Sequence, residues 1–274
     1  MIDILDPGIG VFFFLLGTII GSFLNVVVLR FGKLSLAGRS MCPNCKTTLT
    51  AWELIPVLSF LWLRGRCRTC KKPISPQYPL VELVTGLLFL GCYLVLGLPV
   101  TVLGVIAFLL HLVAFSLLVA LTVYDIHHTI IPNQFVYAFS VCALLLLFID
   151  PSGMFTVPSL LALLAGPILF LPFFILWIVS KGRWLGLGDG KLALGMGWLL
   201  GIAGGFSAVL LAFWIGAVMS IMLLTYVKVG TTHLRGGARH FTMKSEIPFA
   251  PFLVLGLILV FFFHLNVIPL MFPL

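Results

Sequence analysis

The chain predicts an all-α polytopic membrane protein of about eight transmembrane helices, with a small cysteine-bearing cytoplasmic insert between helices 1 and 2. Three observations carry that expectation. Of 274 residues 61% are hydrophobic and 9% charged, and the mean hydropathy of +1.23 lies far outside the range of soluble domains. Apolar runs recur at lengths that cross a hydrocarbon core of ~30 Å at ~1.5 Å per residue. The sixteen Lys and Arg gather in three clusters, as the loops on the cytoplasmic side of a membrane require.

The first run, residues 8 to 29, holds no charge. Asp3 and Asp6 precede it and no Lys or Arg does, opposite to the basic start of a signal peptide, so it reads as a retained span. The insert, residues 30 to 78, carries nine of the sixteen basic residues. Further spans are expected at about 79 to 98, 101 to 124, 132 to 149, 158 to 179 and 248 to 270. The stretch from Leu192 to Val227 would measure ~54 Å as one helix, too long for the core, so it is expected to fold back near Gly201, Gly204 and Gly205.

Eight crossings with both termini on the non-cytoplasmic side place every basic cluster in the cytoplasm: the insert, then Lys181, Arg183 and Lys191, then Lys228, Arg235, Arg239 and Lys244. The outer loops near Pro99, Asp150 and Gly204 carry no Lys or Arg. The net charge of +8 therefore reads as topology and contact with anionic lipid, not as nucleic-acid binding. Three segments follow: 1–29, the first helix; 30–78, the insert; and 79–274, a transmembrane core.

Within the insert stand Cys42-Pro-Asn-Cys45 and Cys67-Arg-Thr-Cys70, two C-x-x-C knuckles separated by 21 residues. Four thiolates at that spacing can close a tetrahedral site, and zinc is the metal that takes such a site without redox chemistry. A segment this short also needs a staple, because it buries little core of its own. Free thiols or two disulfides are the alternatives, the latter disfavoured in a reducing cytoplasm. Cys92 and Cys142 lie inside spans and read as small buried apolar residues.

Only eight Asp and Glu occur. Asp125, in Tyr-Asp-Ile-His-His-Thr-Ile-Ile-Pro-Asn, and Asp189, in Gly-Leu-Gly-Asp-Gly-Lys, each sit where an apolar segment meets a loop on the cytoplasmic side. A carboxylate there costs free energy unless hydrated, paired or functional. Facing each other, the two would form an aspartyl pair that shares a proton: one carboxyl takes a proton from water, its partner hydrogen-bonds to the developing oxyanion. Gly186, Gly188 and Gly190 would admit a substrate backbone, and Lys191 could hold a nearby carboxylate ionised. The alternative is helix-end chemistry, with Asp189 capping a helix that begins at Lys191 and Asp125 hydrated in a loop. His127 and His128 read as solvated neighbours, and Asn25, in the first span, as helix-packing glue or a substrate contact. Glu82, one turn into the second span, either neutralises a basic residue or handles an amine.

These residues, in this order, resemble the type IV prepilin peptidases. The likeness runs through Gly21-Ser-Phe-Leu-Asn-Val-Val-Val-Leu-Arg30, the four cysteines with Ile55-Pro56 and Ser59 between them, and Ile74-Ser75 followed by Tyr78-Pro-Leu-Val-Glu82. It continues through Asp125 with Ile131-Pro-Asn133 and Gly186-Leu-Gly-Asp-Gly-Lys-Leu192, and ends in Ile247-Pro-Phe-Ala-Pro-Phe-Leu253. Leu54 stands where the family often has Asn, and Ala250 where it usually has Gly. The resemblance implies a bifunctional inner-membrane enzyme that cuts the basic leader from prepilins or type II secretion pseudopilins at the cytoplasmic face. It then methylates the new N-terminal amine with S-adenosylmethionine. It assigns catalysis to Asp125 and Asp189 and makes Glu82 a candidate for methylation. No βαβ unit with a Gly-rich turn is present, so that donor would bind in an unconventional site. Two other readings stay open: an enzyme that cleaves without methylating, and a non-enzymatic transporter or scaffold whose zinc module recruits a partner.

Overall fold

The protein is described from a computed structural model over residues 6–32, 38–230 and 248–267. Among these residues it is helical, with isolated β-bridges and no named strand. The chain forms two compact units, Met1–Val123 with Ile149–Thr156, and Tyr124–Phe148 with Val157–Leu274.

The first unit is built on α1 (Pro7–Arg30), which starts where Asp6 accepts the Gly8 N–H at 2.7 Å and Pro7 takes the first helical position. The insert follows, with a 3₁₀ turn at Ala51–Leu54 and a short helix α2 (Leu58–Trp62). Next come α3 (Gln77–Leu96) and α4 (Val102–His128), whose last residues belong to the second unit. The backbones of α1 and α3 touch along Gly17-x-x-x-Gly21: a Cβ on Gly17 would lie 2.7 Å from the Thr85 carbonyl oxygen, and one on Gly21 2.7 Å from Glu82 Cα. Asn25, one turn on, donates to the Tyr78 carbonyl at 3.2 Å, which makes it the inter-helix glue expected of it.

The second unit holds α5 (Asn133–Leu146), α6 (Leu160–Ser180), α7 (Leu187–Gly230) and α8 (Ala250–Phe263). The expected fold-back occurs inside α7 at Gly201, whose φ of 72° and ψ of −179° break the helix. A Cβ on Gly205 would lie 3.5 Å from Gly197 Cα, so the two limbs run side by side. In α6, Pro167 has no N–H to offer the Leu163 carbonyl one turn back. Trp198 supplies the missing donor, its Nε1 lying 2.9 Å from the Leu163 oxygen. Gly166 opens the slot for that indole, since a Cβ there would lie 2.7 Å from Trp198 Nε1. One Gly-Pro pair thus both frees a carbonyl and admits its new partner.

Among the described residues five helices are long and apolar enough to cross a membrane, namely Pro7–Arg30, Gln77–Leu96, Val102–His128, Leu160–Ser180 and Leu187–Met222; α5 and α8 are shorter apolar helices. With the limbs of α7 counted separately, eight apolar helices result, the number expected. The expected span 132 to 149 is helical as far as Leu146, and 248 to 270 as far as Phe263. Arg235, Arg239, Lys244 and Ile247 lie outside the described residues, as does the side chain of Lys228.

Candidate active site and metal centre

Both aspartates fall in the second unit. α4 ends at His128, and left-handed Thr129 (φ 52°) closes it by donating its N–H to the Asp125 carbonyl at 2.7 Å. Asp125 therefore lies in the last turn of α4. Asp189 lies in the first turn of α7, which starts at Leu187 rather than at Lys191, so the residue is inside the helix and not its cap. Its carboxylate reaches back to the Gly186 N–H, a donor left free at a helix start.

Asp125 and Asp189 are 4% and 8% exposed, and their carboxylates interact electrostatically. The Asp125 carboxylate accepts a hydrogen bond from the Ala250 N–H at the start of α8, while Asp125 Oδ2 is buried with no hydrogen-bond partner. Each acid thus meets one helix N-terminus, where free N–H groups and the helix dipole favour negative charge. One carboxylate oxygen has capacity left for a water or a substrate group.

Two contacts tie together the elements that carry the acids. A Cβ on Gly188 would lie 2.9 Å from Ile131 Cβ, so the loop between α4 and α5 rests directly on the first turn of α7. Lys191 donates to Asn133 Oδ1 at 2.8 Å and sits 5.2 Å from the centre of the Tyr137 ring. Its ammonium joins the start of α5 to α7 instead of pairing with a carboxylate. His128 stacks on Tyr124 with ring centroids 4.2 Å apart, and His127 is exposed.

In the first unit the two knuckles are near copies. Cys42 N–H donates to the Thr47 carbonyl at 3.0 Å and Cys67 N–H to the Lys72 carbonyl at 2.9 Å. Lys46 and Lys71, each just past the second cysteine of its knuckle, take left-handed φ values of 55° and 57°. Cys42 and Cys70 sulfurs are 3.9 Å apart, as are those of Cys45 and Cys67, and all four lie within 4.8 Å of one another. A tetrahedral ion with sulfur at ~2.3 Å needs sulfurs about 3.8 Å apart, so the set fits a metal ion and none of the pairs is a disulfide. Among the described residues no other Cys, His, Asp or Glu group is close enough to share an ion. The Thr47 hydroxyl and then its backbone N–H lower the Cys45 thiol from 9.0 to about 6, and backbone N–H groups of Cys70 and Thr69 lower Cys67. A hydrogen bond from the Lys72 backbone opposes a rise at Cys70 to about 11, which burial and the neighbouring thiols produce. The cluster therefore offers a thiolate at Cys45 near neutral pH, and metal binding releases the protons that the other thiols still hold.

Glu82, buried on α3, accepts the Val57 N–H on Oε2 at 2.7 Å and a hydrogen bond from the Ser22 side chain. Val57 has φ 60° and ψ −51°, and Leu58 N–H closes onto the Pro56 carbonyl at 2.6 Å. That is a left-handed γ-turn on a β-branched residue, a strained conformation that persists only when its surroundings hold it. Glu82 does so. Its partner is backbone and hydroxyl, not a basic side chain.

Sequence reasoning missed three participants: the Ala250 N–H, Asn133 as the partner of Lys191, and Trp198 on the carbonyl freed by Pro167. Gly166-Pro167 inside an apolar helix was the available signal for the last. The other two depend on which helix ends meet, which spacing along the chain does not reveal.

Comparison with known proteins adds an independent line. The profile of the bacterial peptidase A24 N-terminal domain matches residues 15–96, and that of the type IV leader peptidase family residues 112–221. Over 257 residues the chain is 32% identical to the prepilin leader peptidase/N-methyltransferase of Bacillus subtilis (strain 168), covering 93% of this chain and 94% of the relative. It is 33% identical over 261 residues to the type 4 prepilin-like proteins leader peptide-processing enzyme of Escherichia coli O78:H11, covering 88% of each. A protein of Myxococcus xanthus (strain DK1622), also called prepilin leader peptidase/N-methyltransferase, is 38% identical over 224 residues, which are 80% of this chain and 64% of that relative. The chain thus spans a little under two thirds of the Myxococcus protein. No solved structure matches.

Proposed function

Because this chain belongs to the type IV leader peptidase family, we propose that it cleaves the basic leader from type IV prepilins and type II secretion pseudopilins and then N-methylates the exposed terminus with S-adenosylmethionine. Asp125 and Asp189 are the catalytic pair of the proposal. The observation that carries it is that these two acids, 64 positions apart in sequence, are buried in one unit, close enough for the Asp125 charge to act on Asp189. One carboxyl, ionised, takes a proton from water as the oxygen attacks the scissile carbonyl and then passes that proton to the leaving amine; the other, protonated, hydrogen-bonds to the developing oxyanion. The Ala250 N–H meets the Asp125 carboxylate, and the Gly188–Ile131 and Lys191–Asn133 contacts join the helix ends that carry the two acids. With a basic leader as substrate, the reaction belongs at the cytoplasmic face of the bacterial inner membrane, with both termini opposite.

Zinc on Cys42, Cys45, Cys67 and Cys70 is the structural metal of the proposal, closing residues 30–78 into a module between the first helix and the peptidase core of 79–274. S-adenosylmethionine supplies the electrophilic methyl group. The test is cleavage of a prepilin-type substrate by wild type, Asp125→Asn and Asp189→Asn, read by mass. Wild type should cut, and with S-adenosylmethionine add one methyl group, while both folded variants should lose cleavage by about 10³-fold or more. Wild-type cleavage by either folded variant refutes the aspartyl assignment; cleavage without the methyl increment leaves a peptidase alone.

A further inference from the structure

The insert exposes large apolar side chains and cations side by side. Trp52 and Trp62 are 77% and 83% exposed, and Leu58 and Leu61 are 59% and 65% exposed. Leu58, Leu61 and Trp62 stand at i, i+3 and i+4 of α2, so they share one helix face, and the 3₁₀ turn that carries Trp52 adjoins that helix. At the end of α2, Trp62, Arg64, Arg66, Arg68 and Lys71 line a single depression. Among the described residues the one ion pair is Arg68 with Glu53, 3.5 Å from Nε to Oε1, which leaves Arg64, Arg66 and Lys71 there without a carboxylate.

We propose that this face docks on the membrane surface, with Leu58, Leu61 and Trp62 in the interfacial layer and Arg64, Arg66 and Lys71 on the phosphates of anionic lipid headgroups. Depth is the argument for lipid over a soluble partner. Val57, the residue before α2, donates its N–H to Glu82, which lies one turn into α3, at 2.7 Å. Beyond α2, the Ile74 N–H donates to the Gly65 carbonyl at 2.7 Å, three residues before α3 begins. Both ends of α2 are thus fastened close to where the apolar helix α3 starts, the level at which a membrane span enters the headgroups.

The residue types match that level. Tryptophan has an apolar body and one N–H, and settles between acyl chains and water. Arginine meets phosphate with a planar fork of donors, and clustered cations are drawn to an anionic leaflet within a Debye length of ~8 Å. From residue 30 to 78 nine basic residues stand against one acid, Glu53, and a zinc ion on four thiolates adds only two negative charges. Arg64 and Lys71 also take left-handed φ values of 51° and 57°, where glycine would cost less, so the chain places cations at two positions that its backbone does not favour for them. The proposal needs only that α1 and α3 cross a membrane, and it stands or falls apart from the peptidase reading.

Full-length protein in nanodiscs of phosphatidylglycerol or of phosphatidylcholine tests the docking, with bromine on the acyl chains near the headgroups to quench nearby tryptophan. The emission of Trp62 is the difference between a protein and its Trp62→Phe form, since Phe keeps the apolar contact and removes the fluorophore. In phosphatidylglycerol that emission should fall at least about twofold, and Arg64→Gln/Arg66→Gln/Lys71→Gln, with wild-type melting behaviour, or ~1 M salt should restore most of it. Independently of any variant, amide hydrogen exchange of wild type over residues 58–66 should slow in phosphatidylglycerol relative to phosphatidylcholine. Trp62 emission that bromine leaves unquenched in phosphatidylglycerol, or exchange equal in the two lipids, overturns the proposal and gives the face to a soluble protein partner. Quenching as strong in phosphatidylcholine, or undiminished in the triple variant, overturns the assignment of the cations to anionic headgroups.

Discussion

Replacing Gly188 by Ala separates active-site geometry from stability. In an ordinary helix the change is favourable by up to ~1 kcal/mol, because Ala is the better helix former. Here the new Cβ would lie 2.9 Å from Ile131 Cβ. Carbon atoms in good contact sit ~3.5–4.0 Å apart, so the loop or the first turn of α7 must move by roughly 0.6–1 Å. Overpacking of this kind costs ~1–3 kcal/mol, which leaves a net loss of about 0–2 kcal/mol after the propensity gain. Cleavage should suffer more: a displacement of ~1 Å between reacting groups can reduce a rate ~10²-fold. Leader cleavage kcat/KM and detergent melting, measured side by side, should show a large activity loss on a small stability change. Ile131→Ala cannot rescue the variant, because the clash is with Cβ; Ile131→Gly removes the atom and should restore part of the rate. Gly216→Ala, whose Cβ would meet the Phe252 ring at an ordinary 3.4 Å, is the steric control. A Gly188→Ala enzyme that cleaves as fast as wild type refutes the idea that this contact holds the aspartates in place.

Glu82→Gln weakens the charge-assisted bond to the Val57 N–H and should destabilise the module by about 1 kcal/mol, read as a lower melting temperature of the metal-loaded protein; adding Val57→Gly should recover much of it, since glycine takes the turn without strain. Loss of stability that Val57→Gly leaves untouched would place the role of Glu82 elsewhere. Trp198→Phe keeps the ring but strands the Leu163 carbonyl freed by Pro167, and should cost ~1–3 kcal/mol in detergent unfolding; an unchanged unfolding midpoint would refute that account. Zinc uptake by metal-free protein, followed with a chromophoric indicator, should fall steeply as the pH drops through about 6. The sign follows from Cys45: its lowered folded pKa means that the thiolate, favoured by folding, is kept below the ordinary 9.0 and is lost only near 6. Undiminished uptake well below that pH would contradict the hydrogen bonding seen around Cys45.

What was legible in the sequence follows the physics of each signal. Apolar run length predicts membrane helices directly, and the excess length of the Leu192–Val227 stretch was enough to predict a reversal where the structure has Gly201. Ligand spacing predicted the tetracysteine cluster, because two knuckles need only their own turns to present four sulfurs. The aspartates were marked by being carboxylates at the ends of apolar runs. Their surroundings were not legible: the Ala250 N–H comes from 125 positions beyond Asp125, and Lys191, read as a partner for a carboxylate, turns to Asn133. Tertiary contact decides those choices, and a chain of apolar helices leaves few polar marks from which to infer it.

Three of the helices around the aspartates are short. α5 and α8 have 14 residues each, and the limb of α7 that carries Asp189 runs only from Leu187 to the break at Gly201. At ~1.5 Å per residue each spans about 21 Å, against a hydrocarbon thickness of ~30 Å. Lipid adapts to such a mismatch by thinning, at a cost of a fraction of a kcal/mol per ångström. Thinning of the bilayer around the second unit would bring headgroups and water several ångströms nearer to Asp125 and Asp189. Hydrolysis needs water, and under the proposed function the substrate would bring an apolar helix that stays in lipid. Short helices reconcile the two demands by bringing the aqueous phase down to the scissile bond instead of lifting the substrate out. Acyl-chain length then becomes a variable of the enzyme's rate, as much a part of its working environment as pH.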